Sequence, residues 1–149
     1  MVITEKITEE IVTDAELSNF QKSLGLPIPI AYCQFLKLHN GGRPNPSSFE
    51  FKNADGKLER SRIHYFFGLH SGRVGNLRSQ FETYHDRIPL GLLPVATDPF
   101  GNLILLKLIA KPDGPVFFWD HENEGEDEPT WENVFQINPS FEDFTKSLA

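Results

Sequence analysis

Apolar residues recur at Leu17, Phe20 and Leu24 in the stretch TDAELSNFQKSLG, the three-to-four-residue rhythm of one helical face. Thr13 and Glu16 stand at the spacing of a capping box, and Gly25 supplies a stop, so the pattern predicts a helix bounded at both ends. A second helix is expected in LPIPIAYCQFLKLHNGG. Pro29 suits its first turn, Tyr32, Phe35 and Leu36 share a face, and Asn40-Gly41 ends it.

After Gly42 the rhythm changes. Two aromatic-rich segments flank Asp55-Gly56, as in a hairpin or a short loop between strands. NLRSQFETYHDRIP places Leu77, Phe81 and Tyr84 at helical spacing with weak caps, and Pro89 is the expected stop. LLPVAT, NLILLKLI, PVFFW and WENVFQI are strand-length runs separated by turn residues, for which a meander is the economical topology. KPDG, residues 111–114, reads as a turn, and PSFEDFTKSLA as a closing helix on Phe141, Phe144 and Leu148, with Ser140 and Asp143 as cap residues.

The pentapeptide DPFGN between LLPVAT and NLILLKLI raises a choice for Asp98: chemistry or chain reversal. An acid at the first position, proline at the second and glycine at the fourth make a type I turn, and the carboxylate can accept backbone N–H groups two residues on. A catalytic carboxylate also needs a partner group, and the sequence identifies none.

A chain of 149 residues fits one domain, large enough to bury roughly two thirds of its unfolded surface without a staple. Residues 1–149 are therefore expected to form a single unit, with residues 1–12 as an N-terminal extension. The one cysteine, Cys33, excludes an intrachain disulfide and suits a reducing cytosol; its place between Tyr32 and Phe35 suggests a core thiol rather than a nucleophile. MVITEKITEEIVTDAE lacks the basic and apolar regions of a secretory signal, and LILLKLIA, only eight residues and interrupted by Lys107, is too short to span a membrane. A soluble, cytoplasmic protein is expected.

Net charge is −7 and unevenly spread: −3 over residues 1–36, +4 over 37–87 and −8 over 88–149. The acidic part repels phosphate backbones and attracts cationic partners, so direct nucleic-acid binding is not expected. Familiar catalytic signatures are absent. NGGRPNPSS lacks the Lys-Ser/Thr ending of a phosphate loop, no Gly-x-Ser-x-Gly occurs, and His39, His64, His70, His85 and His121 form no His-Glu-x-x-His pair. No catalytic residue, metal ligand or cofactor is predicted.

The most unusual segment is DHENEGEDEPTWE, residues 120–132, with seven acids and no lysine or arginine. Asp120, Glu122, Glu124, Gly125, Glu126 and Glu128 loosely follow a calcium loop, but Trp131 occupies the place of its bidentate glutamate, and the flanks read as strands. Two readings remain open: a solvated acidic loop, or a partner-binding loop in which Asp120, Glu122, Glu124, Glu126, Asp127 and Glu128 face a cationic protein between Trp119 and Trp131. Either tryptophan can equally belong to the core.

Several ordered motifs together resemble the SUKH superfamily, in the branch named for a yeast cell-wall regulator and common in bacteria. They are LGLPIPIAYCQFLKLHNGG, IPLGLLPVATDPFGNLILLKL, PVFFWDHENE and SFEDFTKSL, and the resemblance runs from about residue 13 to the C-terminus. It implies an α+β domain with a largely antiparallel sheet packed by helices. It also implies an immunity protein that binds and neutralises a toxin, often a basic nuclease, or alternatively a non-enzymatic regulatory or scaffolding module. The matched positions Pro27, Asn40, Gly41, Gly42, Asp98, Gly101, Asn102, Trp119, Asp120 and His121 serve the fold as readily as a partner. Ile28-Pro29 departs from the family's polar residues and leaves the start of the second helix open.

Overall fold

A computed structural model describes residues 1–149. Strand β1 (Val2–Glu5) precedes helices α1 (Asp14–Leu24) and α2 (Ile30–His39), followed by strands β2 (Arg43–Asn45), β3 (Ser48–Lys52), β4 (Leu58–Arg62) and β5 (Tyr65–Phe66). Helix α3 (Leu77–Tyr84) then leads into β6 (Leu92–Thr97), β7 (Leu103–Lys107), β8 (Val116–Trp119), β9 (Val134–Asn138) and helix α4 (Phe141–Ser147). The architecture is α+β. A five-stranded sheet runs β5-β6-β7-β8-β9, every neighbour antiparallel, and the last four strands form the expected meander. Two further antiparallel pairs complete it: β3-β4, a hairpin, and β1-β2, which joins strands separated in the chain by α1 and α2.

Local chemistry explains most boundaries. Thr13 and Glu16 make both bonds of the capping box, at 3.2 and 3.0 Å, and Gly25 closes α1 in the left-handed region at φ 71°. Helix α2 starts at Ile30 with Pro29 at its cap. Proline offers no side-chain acceptor, and the Ala31 N–H donates instead to the Pro112 carbonyl at 2.8 Å. The end of α2 is fastened more firmly. Asn40 adopts φ 47°, and its buried side chain donates to the Glu10 and Leu69 carbonyls while accepting the Leu69 N–H.

Expectations for the third and closing helices need correction. The third helix is not weakly capped, because the Asn76 carboxamide oxygen accepts the Ser79 N–H at 3.0 Å, and the helix ends at Tyr84, well before Pro89. Asp113 does more than turn the chain: its carboxylate accepts the Phe141 and Glu142 N–H groups at 2.8 and 3.0 Å, so α4 is capped from a distant loop as well as by Ser140. The reciprocal cap expected from Asp143 is not formed; its N–H donates to Ser140. Within residues 1–12, β1 pairs with β2 and Val12 is buried.

The core lies on both faces of the central sheet. On one, Phe118 stacks with Phe51 at 4.2 Å and packs near Phe49 at 5.9 Å, while Phe49 reaches Phe144 of α4. On the other, Trp119 meets Tyr84 of α3 edge to face at 5.7 Å. Adjacent residues of β8 thus point to opposite covered faces, and their apolar run follows from burial on both sides. No helix is long and apolar enough to cross a membrane.

Candidate functional site

The acidic segment leaves β8, makes one 3-10 turn (His121–Asn123) and returns at β9. Its base is held on three sides. Asp120 N–H donates to the Asn133 carbonyl at 3.0 Å, and the Asn133 side chain donates back to the Asp120 carbonyl at 2.8 Å, closing the loop's neck. The Asp120 carboxylate accepts the Glu122 N–H and the Asn123 side chain, so it caps the short turn. His121 docks on the neighbouring β6–β7 turn, its N–H on Asn102 Oδ1 at 3.1 Å and its Nε2 beside the Phe100 carbonyl at 2.8 Å.

That neighbouring turn is organised by Asp98, which is buried. Oδ1 accepts the Phe100 and Asn102 N–H groups, both at 2.9 Å; Oδ2 accepts the Asn102 side chain at 2.9 Å and the Ser61 hydroxyl at 3.0 Å. A carboxylate offers about four acceptor directions. All are occupied by the chain itself, which answers the choice posed by the sequence: Asp98 turns the chain and holds it. Gly101, at φ 90°, completes the reversal in a conformation that favours glycine.

Further out, Arg87 grips Glu124 through two contacts, Nη2–Oε1 at 2.7 Å and Nε–Oε2 at 3.2 Å. The guanidinium also lies 4.8 Å from the Tyr84 ring centre and 5.7 Å from that of Trp119. Hydrogen bonding to Glu124 raises the Arg87 pKa above its ordinary value. Sequence reading missed this clamp, because the two residues lie 37 positions apart and no local pattern links them.

The residues proposed as partner contacts therefore separate into groups. Trp119 is fully buried and supports α3 from inside, so it cannot serve as a surface anchor while β8 stays in the sheet. Asp120 and Glu124 are engaged by the loop's own scaffold. Glu122, Glu126, Asp127 and Glu128 are exposed, and their carboxylates make no ion pair or hydrogen bond within the chain. Trp131 is 54% exposed and packs edge to face on Phe117 at 5.6 Å. Phe100, which the sequence reading did not single out, is 68% exposed on the turn beneath His121. No three His, Cys, Asp or Glu side chains converge closely enough to hold a metal ion.

Elsewhere, burial shields two titratable groups of α2. Burial pushes the Cys33 thiol above its ordinary pKa, away from the thiolate a nucleophile needs. Burial beside Phe35, 5.1 Å away, holds His39 below its ordinary value.

Comparison with known proteins adds two findings. The model of the SMI1/KNR4 family (SUKH-1) matches residues 11–147. The SPbeta prophage-derived uncharacterized protein YokK of Bacillus subtilis (strain 168) is 28% identical over 153 residues, spanning 93% of this chain and 76% of that protein.

Proposed function

This chain belongs to the SMI1/KNR4 family (SUKH-1), and from that premise we propose that it is a cytoplasmic immunity protein that neutralises a toxin by occluding it. Family membership is consistent with an immunity-type or interaction module. The observation that carries the finer reading is the set of four unpaired, exposed carboxylates, Glu122, Glu126, Asp127 and Glu128, on a loop whose base is fixed to the sheet. A nuclease must present positive charge to hold its substrate, so an acidic inhibitor is drawn to the same surface. The protein acts by docking rather than turnover, with no metal or cofactor.

The test is co-expression with the toxin domain encoded beside the gene, reading survival and complex formation. Converting Glu122, Glu126 and Glu128 to Gln and Asp127 to Asn should slow association about tenfold at low salt and flatten its salt dependence, while Glu124 keeps the loop in place. An unchanged on-rate refutes the loop assignment; absence of both protection and complex refutes the immunity reading.

A further inference from the structure

A groove of about 300 Å³ lies where the end of α1, the end of α3 and the start of β6 meet, walled by Leu24, Leu26, Phe81, Leu92 and Leu108. On its rim Leu90 is 95% exposed and Leu26 is 41% exposed. A single exposed leucine is ordinary on a protein surface. Here it lines an apolar depression, on the short Pro89-Leu90-Gly91 segment that enters β6.

The rim is not electrically neutral. The last carbonyls of α3 carry the negative end of its dipole, and Asp86, which lines the groove, makes no ion pair within the chain. The adjacent cation, Arg87, is engaged by Glu124 and so belongs to the acidic loop. That clamp ties Glu124 of the loop to the residue that follows Asp86 in the chain. An apolar floor and the free Asp86 carboxylate therefore share one lining, with His85 beside them.

We propose that this groove receives an aliphatic side chain flanked by lysine or arginine on the partner protein, and that it is the apolar anchor of the interface; this rests on the interaction reading above. Steering by carboxylates sets the encounter rate, whereas a buried side chain holds the complex. Removing such an anchor from the partner should weaken binding about ten- to hundredfold, the weight of one buried aliphatic group.

The probe is a set of capped dipeptides, acetyl-Leu-Lys-amide, acetyl-Leu-Glu-amide and acetyl-Ser-Lys-amide, titrated into the full chain carrying labelled leucine methyl groups and followed by NMR. Leu-Lys should shift the Leu24, Leu26, Leu90 and Leu92 methyls saturably. Leu-Glu should bind about two- to fivefold more weakly, and Ser-Lys should not saturate. Asp86→Asn, an exposed substitution that leaves the fold alone, should erase the lysine preference, and Leu26→Trp should block the groove. Silent methyls, or equal response to Ser-Lys, overturn the proposal. The neutralised-loop variant keeps the two readings separable: a silent groove with slowed toxin association sinks only the groove, while a responsive groove with unchanged association sinks only the loop.

Discussion

Replacing Asp98 by alanine removes the acceptor of four hydrogen bonds at once. The Ser61 hydroxyl and the Asn102 side chain can turn toward water, but the Phe100 and Asn102 N–H groups are fixed in a part-buried turn. A main-chain donor left unsatisfied costs about 1–3 kcal/mol, so two such donors give an expected loss of about 2–6 kcal/mol. For a chain of this size that lowers Tm by roughly 4–24 °C. Asp98→Asn keeps an acceptor at Oδ1 but puts a donor at the Oδ2 position, which opposes the Asn102 amide while the Ser61 hydroxyl can rotate to accept, so about 1–2 kcal/mol is expected. Urea melts at neutral pH measure both, and the His121 amide resonance reports the loop, because Asn102 Oδ1 accepts that N–H. An alanine variant within 1 kcal/mol of the parent refutes the assignment of Asp98 as the turn's organiser.

Three further outcomes follow from individual contacts. Arg87→Met should cost about 1 kcal/mol in urea melts, because the guanidinium is 40% and the Glu124 carboxylate 29% exposed, and should raise hydrogen exchange in residues 122–128; unchanged exchange contradicts the clamp. The Tyr32 hydroxyl is buried with no partner, so Tyr32→Phe should leave stability unchanged or raise it by about 1 kcal/mol, and a loss above that in calorimetry would mean the hydroxyl is satisfied after all. His39 has a folded pKa below its unfolded value, so the unfolded state binds the proton first: stability should be flat above about pH 7 and fall as pH drops through the ordinary histidine range, with His39→Gln flattening that slope in melts between pH 7.5 and 5.

The legible parts of this fold were those whose determinants lie close together in sequence. Thr13 and Glu16 stand three residues apart, and both capping bonds form. Asp98 and Asn102 likewise carry their turn within five residues. The family pattern gave the α+β class, and the strand-length runs gave the order of the meander. Features requiring distant partners were not visible: β1 depends on β2, the α4 cap on Asp113, and the loop clamp on Arg87. The two tryptophans show the limit most clearly. Both flank the same acidic run, yet Trp119 lies under α3 and Trp131 lies largely in solvent, because Trp119 belongs to β8 within the sheet and Trp131 to the loop before β9.

The neck formed by Asp120 and Asn133 divides labour within the loop between holding shape and facing outward. Glu126, Asp127 and Glu128 support nothing beneath them, so mutation can rewrite their chemistry at little cost to folding. A lineage can thus alter this outward label while leaving the envelope intact.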